Sequence, residues 1–346
     1  MAGKVGVKRR GFIEGALVSG ALPLALGSRQ ARAQGAADVE ALLKAAKAEG
    51  PLTVYATITD NLIRRIIDAF SAKYGIKVQY NRFAGTAVQL RYAAEAEAGS
   101  FAADILLIAA AQNFAKAGIE KGWIDPISGA NLPVITSGQF PAKFNQGNIA
   151  VVQVTPWLIV YNKEILKPDQ LPKDWPDLLN ARFAGQLVLP DPRSSEAYLD
   201  FWVALHTRYG NGFFEKIRSL NPRRYSSGVP AIQALAAGEG SLQVPAVPAQ
   251  ITGVRDRGAP LDSLSFPYTA GVEIQAVLTA KSKARSPNAA RLFANWLMEP
   301  EGNQILNSDP GSVTVYDTQG LPAEYVWSNP ATAARKDEMG KLLGFS

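Results

Sequence analysis

The stretch from Leu52 to Ala109, LTVYATITDNLIRRIIDAFSAKYGIKVQYNRFAGTAVQLRYAAEAEAGSFAADILLIA, changes its hydrophobic period four times. LTVYAT is a short β-branched and aromatic run and predicts a strand. NLIRRIIDAFSAKYG spaces Leu62, Ile66, Ile67 and Phe70 as one face of a helix. IKVQYNRF then predicts a second strand and TAVQLRYAAEAEAG a second helix. ADILLIA is apolar throughout, as a parallel strand buried on both faces must be. The order β-α-β-α-β predicts a doubly wound α/β unit with a right-handed crossover at each step.

Working outward, residues 38–49 predict a helix stopped by Gly50-Pro51. IAVVQVTPWLIVYNKE carries two extended runs broken at Thr155-Pro156, where the chain is expected to cross to a second unit. A second alternation follows: a helix near Trp175 to Leu179, the strand QLVLP, helices from about Ser194 to Tyr209 and over GFFEKIRSL, the helix PAIQALAAGEG, and the strand SLQVPAV. SLSFPYTAGVEIQAVLTAKS is again extended, with a return crossing expected near Pro267. SPNAARLFANWLMEPEGNQIL predicts a pair of amphipathic helices.

A chain of 346 residues with 47% hydrophobic and 19% charged residues is globular and long enough for two lobes. Its net charge of +6 is concentrated at the start. Residues 1–33 hold Lys4, Lys8, Arg9, Arg10, Arg29 and Arg32 against Glu14, so about +1 is left for the rest, and a nucleic-acid partner loses its electrostatic support. The same residues read as an export leader: a basic start, the weakly apolar FIEGALVSGALPLALG, and a small-residue cleavage pattern at Ala31-Arg32-Ala33. Arg9-Arg10 followed by Gly11-Phe12 resembles a twin-arginine address, and the mature chain is expected to begin near Gln34 in the periplasm. The chain has no cysteine, which removes disulfides, thiolate metal sites and thiol nucleophiles.

Taken in order, LTVYATITDNLIRRIIDAFSAKYGIKVQYNRFAGTAVQL, LIVYNKEIL leading to LPKDWPDLLNARFAGQLVLPDP, PAIQALAAGEG, and AKSKARSPNAARLFANWLMEPEGNQ resemble the periplasmic solute-binding proteins of ATP-driven importers. The branch is the one that includes the ferric-ion-binding proteins, and the likeness covers most of residues 50–307. The resemblance implies a two-lobed α/β fold of the periplasmic-binding-protein type II, each lobe a mixed sheet flanked by helices. It implies lobe 1 over 38–155 plus 267–300, lobe 2 over 156–266, and a C-terminal segment, 301–346, packed on the lobes. Two crossing strands would join the lobes, hinge closure would hold a solute in the cleft, and the partner would be the permease of an ABC transporter. The expected form is a monomer without a cofactor.

Ligands of open α/β sheets sit beyond the carboxyl ends of strands, where loops lead into helix N-termini. Those loops carry Thr57, Thr59, Thr86, Arg193, Ser194, Ser195 and Ser227. N-capping accounts for any one of the hydroxyls taken singly. Their convergence with open backbone N–H groups and an arginine predicts a site for a small anion: an organic acid, a phosphonate or a phosphate ester. Trp157 at the first crossing and Tyr268 at the second are expected to face the same cleft. The ferric branch carries adjacent tyrosines after the strand that follows its AAGE helix end, whereas this chain has Val247-Pro248 there, and Pro245 and Pro248 predict a rigid apolar wall. Ferric iron, with Tyr198, Tyr225 or Tyr268 as another source of phenolate, is therefore the second reading. A polyamine or thiamine, needing Asp60, Asp191 or Glu273, is the third. A hydrolase would pair Ser194 or Ser195 with His206, the single histidine, but along one helix the two lie about 16–18 Å apart. Catalysis is not expected.

Overall fold

The computed structural model describes residues 22–83 and 85–345. Most of the segment expected to be an export leader, residues 1–21, lies outside the described residues. Helix α1 (Leu22–Lys47) starts well before the expected residue 38, because no proline interrupts the alanine-rich run through Ala37. The chain then alternates as expected through β1 (Leu52–Ala56), α2 (Asp60–Tyr74), β2 (Val78–Arg82), α3 (Ala87–Glu97) and β3 (Ile105–Ala109). It continues through α4 (Gln112–Glu120), β4 (Ile124–Asp125), the single turn α5 (Pro133–Thr136) and β5 (Ala150–Pro156). Beyond the crossing come β6 (Leu158–Asn162), β7 (Leu187–Pro190), α6 (Glu196–Ser219), β8 (Arg223–Tyr225), α7 (Gly228–Ala236), β9 (Leu242–Ala246), α8 (Pro248–Arg255) and β10 (Leu261–Leu264). The return runs through β11 (Tyr268–Thr269) and β12 (Gly271–Thr279) to α9 (Pro287–Met298) and α10 (Pro300–Leu306). The last elements are β13 (Glu324–Tyr325) and α11 (Lys336–Leu343).

Two mixed sheets result. The first has the order β2-β1-β3-β12-β4, with β5 also paired to β12. β1 is parallel to β2 and β3, and β12 runs antiparallel to β3, β4 and β5. The second has the order β10-β6-β9-β7-β8, with β7 parallel to β8 and β9, and β6 antiparallel to β9 and β10. The apolar face of α2 predicted from spacing is the face that is buried: Leu62, Ile66, Ile67 and Phe70 pack toward the first sheet, where Phe70 meets Phe293 of α9 edge-on at 4.9 Å. The second lobe has its own aromatic core around Trp175, Phe201, Trp202 and Phe214.

Several local departures have plain causes. The two helices expected over 194–220 form α6, broken at Gly210, whose φ of 68° lies outside the helical region. Residues Trp175–Leu179 form a 3-10 turn, with proline at its second position. The crossings lie side by side, since Trp157 N–H donates to the Ala270 carbonyl at 2.9 Å and Gly271 pairs with Pro156. The return crossing therefore falls a few residues after Pro267. The C-terminal part serves both lobes: Leu306 is buried in the first core, while Met339 and Leu343 of α11 are buried in the second.

Candidate functional site

Between the lobes lies a cavity of about 500 Å³. Its walls are the ends of strands and the starts of helices, five of which converge there: α2 and α3 from the first lobe, α6, α7 and α8 from the second. Each helix start leaves backbone N–H groups without intrahelical partners, and the helix dipole adds a positive potential. The two lobes touch at one edge. A Cβ placed on Gly85 would lie 2.2 Å from the Ser194 carbonyl oxygen, and Gly85 has a φ of 53°, so both the approach and the backbone turn require glycine.

Seven of the residues singled out from sequence line the cavity: Thr57, Thr59 and Thr86 from the first lobe, Trp157 at the crossing, and Ser194, Ser195 and Ser227 from the second. Their hydroxyls are in different states. Thr59 Oγ1 accepts from Leu62 N at 3.4 Å and Ser195 Oγ from Ala197 N at 3.3 Å, so each caps its own helix. Ser194 Oγ donates to the Asp191 carbonyl at 2.7 Å. Thr86 and Ser227 occupy the cap positions of α3 and α7 but make no capping bond, and Thr57 Oγ1 is buried without a partner.

Two expectations are corrected. Arg193 does not line the cavity: its side chain folds back on Asp191, with Nε 3.0 Å from Oδ1 and a terminal nitrogen 2.8 Å from Oδ2, and it lies against Gly340 of α11. Asp191, two residues earlier, offers a carboxylate within reach without any chain movement, and the fork geometry of the guanidinium takes it. Tyr268 does not face the cleft either. β11 pairs with β13, the Tyr268 hydroxyl donates to the Ala204 carbonyl at 2.8 Å, and the Arg208 guanidinium lies 4.2 Å over the ring.

The sequence reading missed two arginines that do line the cavity. Arg82 ends β2 and is anchored by Nε to the Ile58 carbonyl at 2.9 Å. Arg257 follows α8, whose start at Pro248 stands where a rigid wall was expected. The signal for Arg82 was its place at a strand's carboxyl end, one residue before the loop already singled out. Tyr198 also lines the cavity, stacked on Trp157 with centroids 4.7 Å apart, and burial pushes its phenol up to about 12. Among carboxylates, Glu196 and Asp309 line the cavity. Glu196 is raised by burial and by Asp200, and Asp309 is ion-paired with Arg65.

The carboxylates considered for a cation lie elsewhere. Asp60 accepts from the Tyr80 hydroxyl at 3.1 Å, Asp191 is held by Arg193, and Glu273 is buried beside the crossings. Glu273 Oε1 accepts from Ser328 N at 2.8 Å, and Asp200 accepts from the hydroxyls of Ser328 and Thr332 at 2.6 Å each. Residues 325–332 thereby fasten the crossing strand to α6. His206 lies outside the cavity lining, between Asn211 and Arg335. Among the described residues no group of three or more His, Asp or Glu side chains is arranged to hold a metal ion. No helix there is long and apolar enough to cross a membrane.

The model of a family described as bacterial extracellular solute-binding protein matches residues 102–340. An uncharacterized protein of Haemophilus influenzae is 26% identical over 268 residues, covering 75% of this chain and 76% of that protein. Two solved structures share the fold. The periplasmic binding protein AfuA from Actinobacillus pleuropneumoniae, with fructose-6-phosphate bound, has a TM-score of 0.66 at 20% identity over 85% of this chain and 96% of its own. Iron-bound HitA from Pseudomonas aeruginosa has a TM-score of 0.64 at 18% identity over 85% of this chain and 98% of its own.

Proposed function

This chain belongs to the bacterial extracellular solute-binding protein family, and from that premise we propose that it captures a small organic or phosphorus-containing anion for an ABC permease. Its fold is that of the transport binding proteins, and the substrate-binding component of an importer is the role that family and fold support. The observation that carries the anion reading is the pair of cap hydroxyls, Thr86 and Ser227, which face one cavity from opposite lobes without capping their helices. They and the open N–H groups behind them are donors in search of an acceptor. Arg82 and Arg257 add positive charge at the same cavity. The rest of the lining, including Leu62, Trp157, Ile232 and Val272, is apolar and suits a carbon body. Export by the twin-arginine route into the periplasm completes the reading, supported by Arg9-Arg10 and the leader.

One structural neighbour is named for a sugar phosphate and another for iron. Against iron here stands the donor set. Tyr198 is the sole tyrosine of the lining, and its raised pKa opposes the phenolate that a hard ferric ion needs. Purified mature protein, stripped of ligand and screened by thermal shift against carboxylates, phosphonates, phosphate esters, polyamines and ferric citrate, tests the reading. Stabilisation by one anion class without turnover is the expected result. Stabilisation by a polyamine alone, or a visible tyrosinate-to-iron band on loading, overturns it.

A further inference from the structure

The oxygen of Tyr198 receives a hydrogen bond from Gln250, while its proton has no acceptor among the described residues. Tyr198 lies in the first turn of α6, 5% exposed, and is held flat by Trp157. Across the second lobe, Gln250 Oε1 accepts from Val247 N at 3.4 Å, with Gln243 Nε2 at 3.5 Å from the same oxygen. Those two donors fix which end of the Gln250 amide is the oxygen. Its Nε2 is therefore turned to Tyr198 and donates to the phenol oxygen at 3.1 Å. Gly228, at the start of α7, stands beside the same oxygen. A Cβ on Gly228 would stand 2.4 Å from both the Tyr198 oxygen and Gln250 Nε2, so the glycine is what lets the three groups meet.

A phenol has two acceptor sites and one proton to donate. Gln250 fills one acceptor site of Tyr198, and among the described residues no acceptor receives its proton. The residue lines the interlobe cavity. We infer that the Tyr198 hydroxyl is an obligatory donor to the bound solute, a specificity-determining contact that demands an acceptor oxygen beside the Trp157–Tyr198 stack. The inference rests on the anion reading above and sharpens it: a carboxylate or phosphoryl oxygen satisfies the contact, whereas an ammonium group placed there meets a proton head-on. The Gln250 donor polarises the O–H bond, so the hydroxyl is a stronger donor than a free phenol.

Tyr198→Phe keeps the ring stack and removes the hydroxyl, and with it both the proton and the acceptor of Gln250 Nε2. Isothermal titration with citrate, methylphosphonate, glycerol 3-phosphate and spermidine measures the effect. The best oxyanion is expected to bind on the order of 10- to 100-fold more weakly to the variant, as for a lost hydrogen bond to a charged group, with little change in Tm. Equal affinity overturns the assignment. Gln250→Glu supplies a carboxylate that accepts the Tyr198 proton and turns it away from the cavity, so a similar loss is expected with the phenol still present. Neutron diffraction of the perdeuterated protein gives a reading that needs no solute. A deuteron directed into the cavity upholds the donor role, and one on the line to Gln250 overturns it. If the parent binds only spermidine, the anion reading fails on its own, and the deuteron position alone decides the role of Tyr198.

Discussion

In the hinge, Asp200 accepts from the Ser328 and Thr332 hydroxyls and from the Asn329 N–H, and Glu273 Oε1 accepts from the Ser328 N–H. In the cleft, a few residues away along α6, hydroxyls and helix starts are just as dense, yet Thr86 and Ser227 cap nothing and the Tyr198 proton has no acceptor. The hinge uses its polar groups on one another, and the cleft holds its own in reserve. A buried polar group without a partner costs roughly 1–3 kcal/mol, and Thr57 Oγ1 is such a group in the cleft, whereas Thr86 and Ser227 are half-buried. One hinge atom breaks the pattern: Glu273 Oε2 is buried without a partner. Burial, and the neighbouring Asp200, push the Glu273 carboxyl up to about 7.

The comparison is broken most severely at the contact between lobes. Gly85→Ala drives a methyl group into the Ser194 carbonyl and strains a left-handed φ. With the lobes held apart at this contact, affinity for the identified solute should fall on the order of 100-fold, while the unfolding free energy changes by about 1 kcal/mol. Titration calorimetry beside a urea melt separates the two. An unchanged affinity would mean that the cavity forms without this contact.

The hinge is tested by pH. Glu273 is neutral more readily in the folded protein than in the unfolded chain, so the folded state holds the extra proton between about pH 4.5 and 7. Its contribution to stability is full below pH 4.5 and is lost as pH rises through about 7. Glu273→Gln removes that dependence, and the variant should exceed the parent by about 3 kcal/mol at pH 8 while falling level with it near pH 4.5. Urea midpoints at the two pH values read this out. Parallel pH profiles for parent and variant would show that Glu273 is not the group responsible.

The smallest effects divide the hydroxyls. Thr59→Ala and Ser195→Ala remove caps and should each cost about 1 kcal/mol of stability. Thr86→Ala and Ser227→Ala remove no cap and should leave stability within about 0.5 kcal/mol while weakening solute binding. A thermal melt and a titration of each of the four variants sort them, and equal stability losses across the set would erase the distinction between cleft and cap.

The alternation of β1 through β3 was legible because its signals are local: a strand's period, a helix's apolar face and the loop between them all lie within a few residues. The hydroxyl loops were legible for the same reason, since a position after a strand and before a helix is a position in sequence. Arg193 was misjudged because one side chain can turn two ways, and the choice is made by Asp191 beside it and by Gly340 on a helix far along the chain. Tyr268 was misjudged because β13, its pairing partner, is a two-residue strand with no periodicity to read. Tyr198 carries an apolar-face signal and is indeed buried on that face. Its polar end depends on Gln250 and Gly228, which only the folded chain brings to it.

The place of β12 in the first sheet also sets an order of events in time. It lies between β3 and β4 and pairs with β5, yet it is made only after the whole segment from β6 to β10. The second sheet is drawn from one continuous stretch, residues 158–264, and can assemble as soon as that stretch exists. The first sheet must wait with its central position empty and the apolar edge of β3 exposed. Closing that gap needs contacts far apart in sequence, which form slowly. Of the two sheets, the one that begins the chain is thus the last to close, and until β12 arrives the edge of β3 stays open.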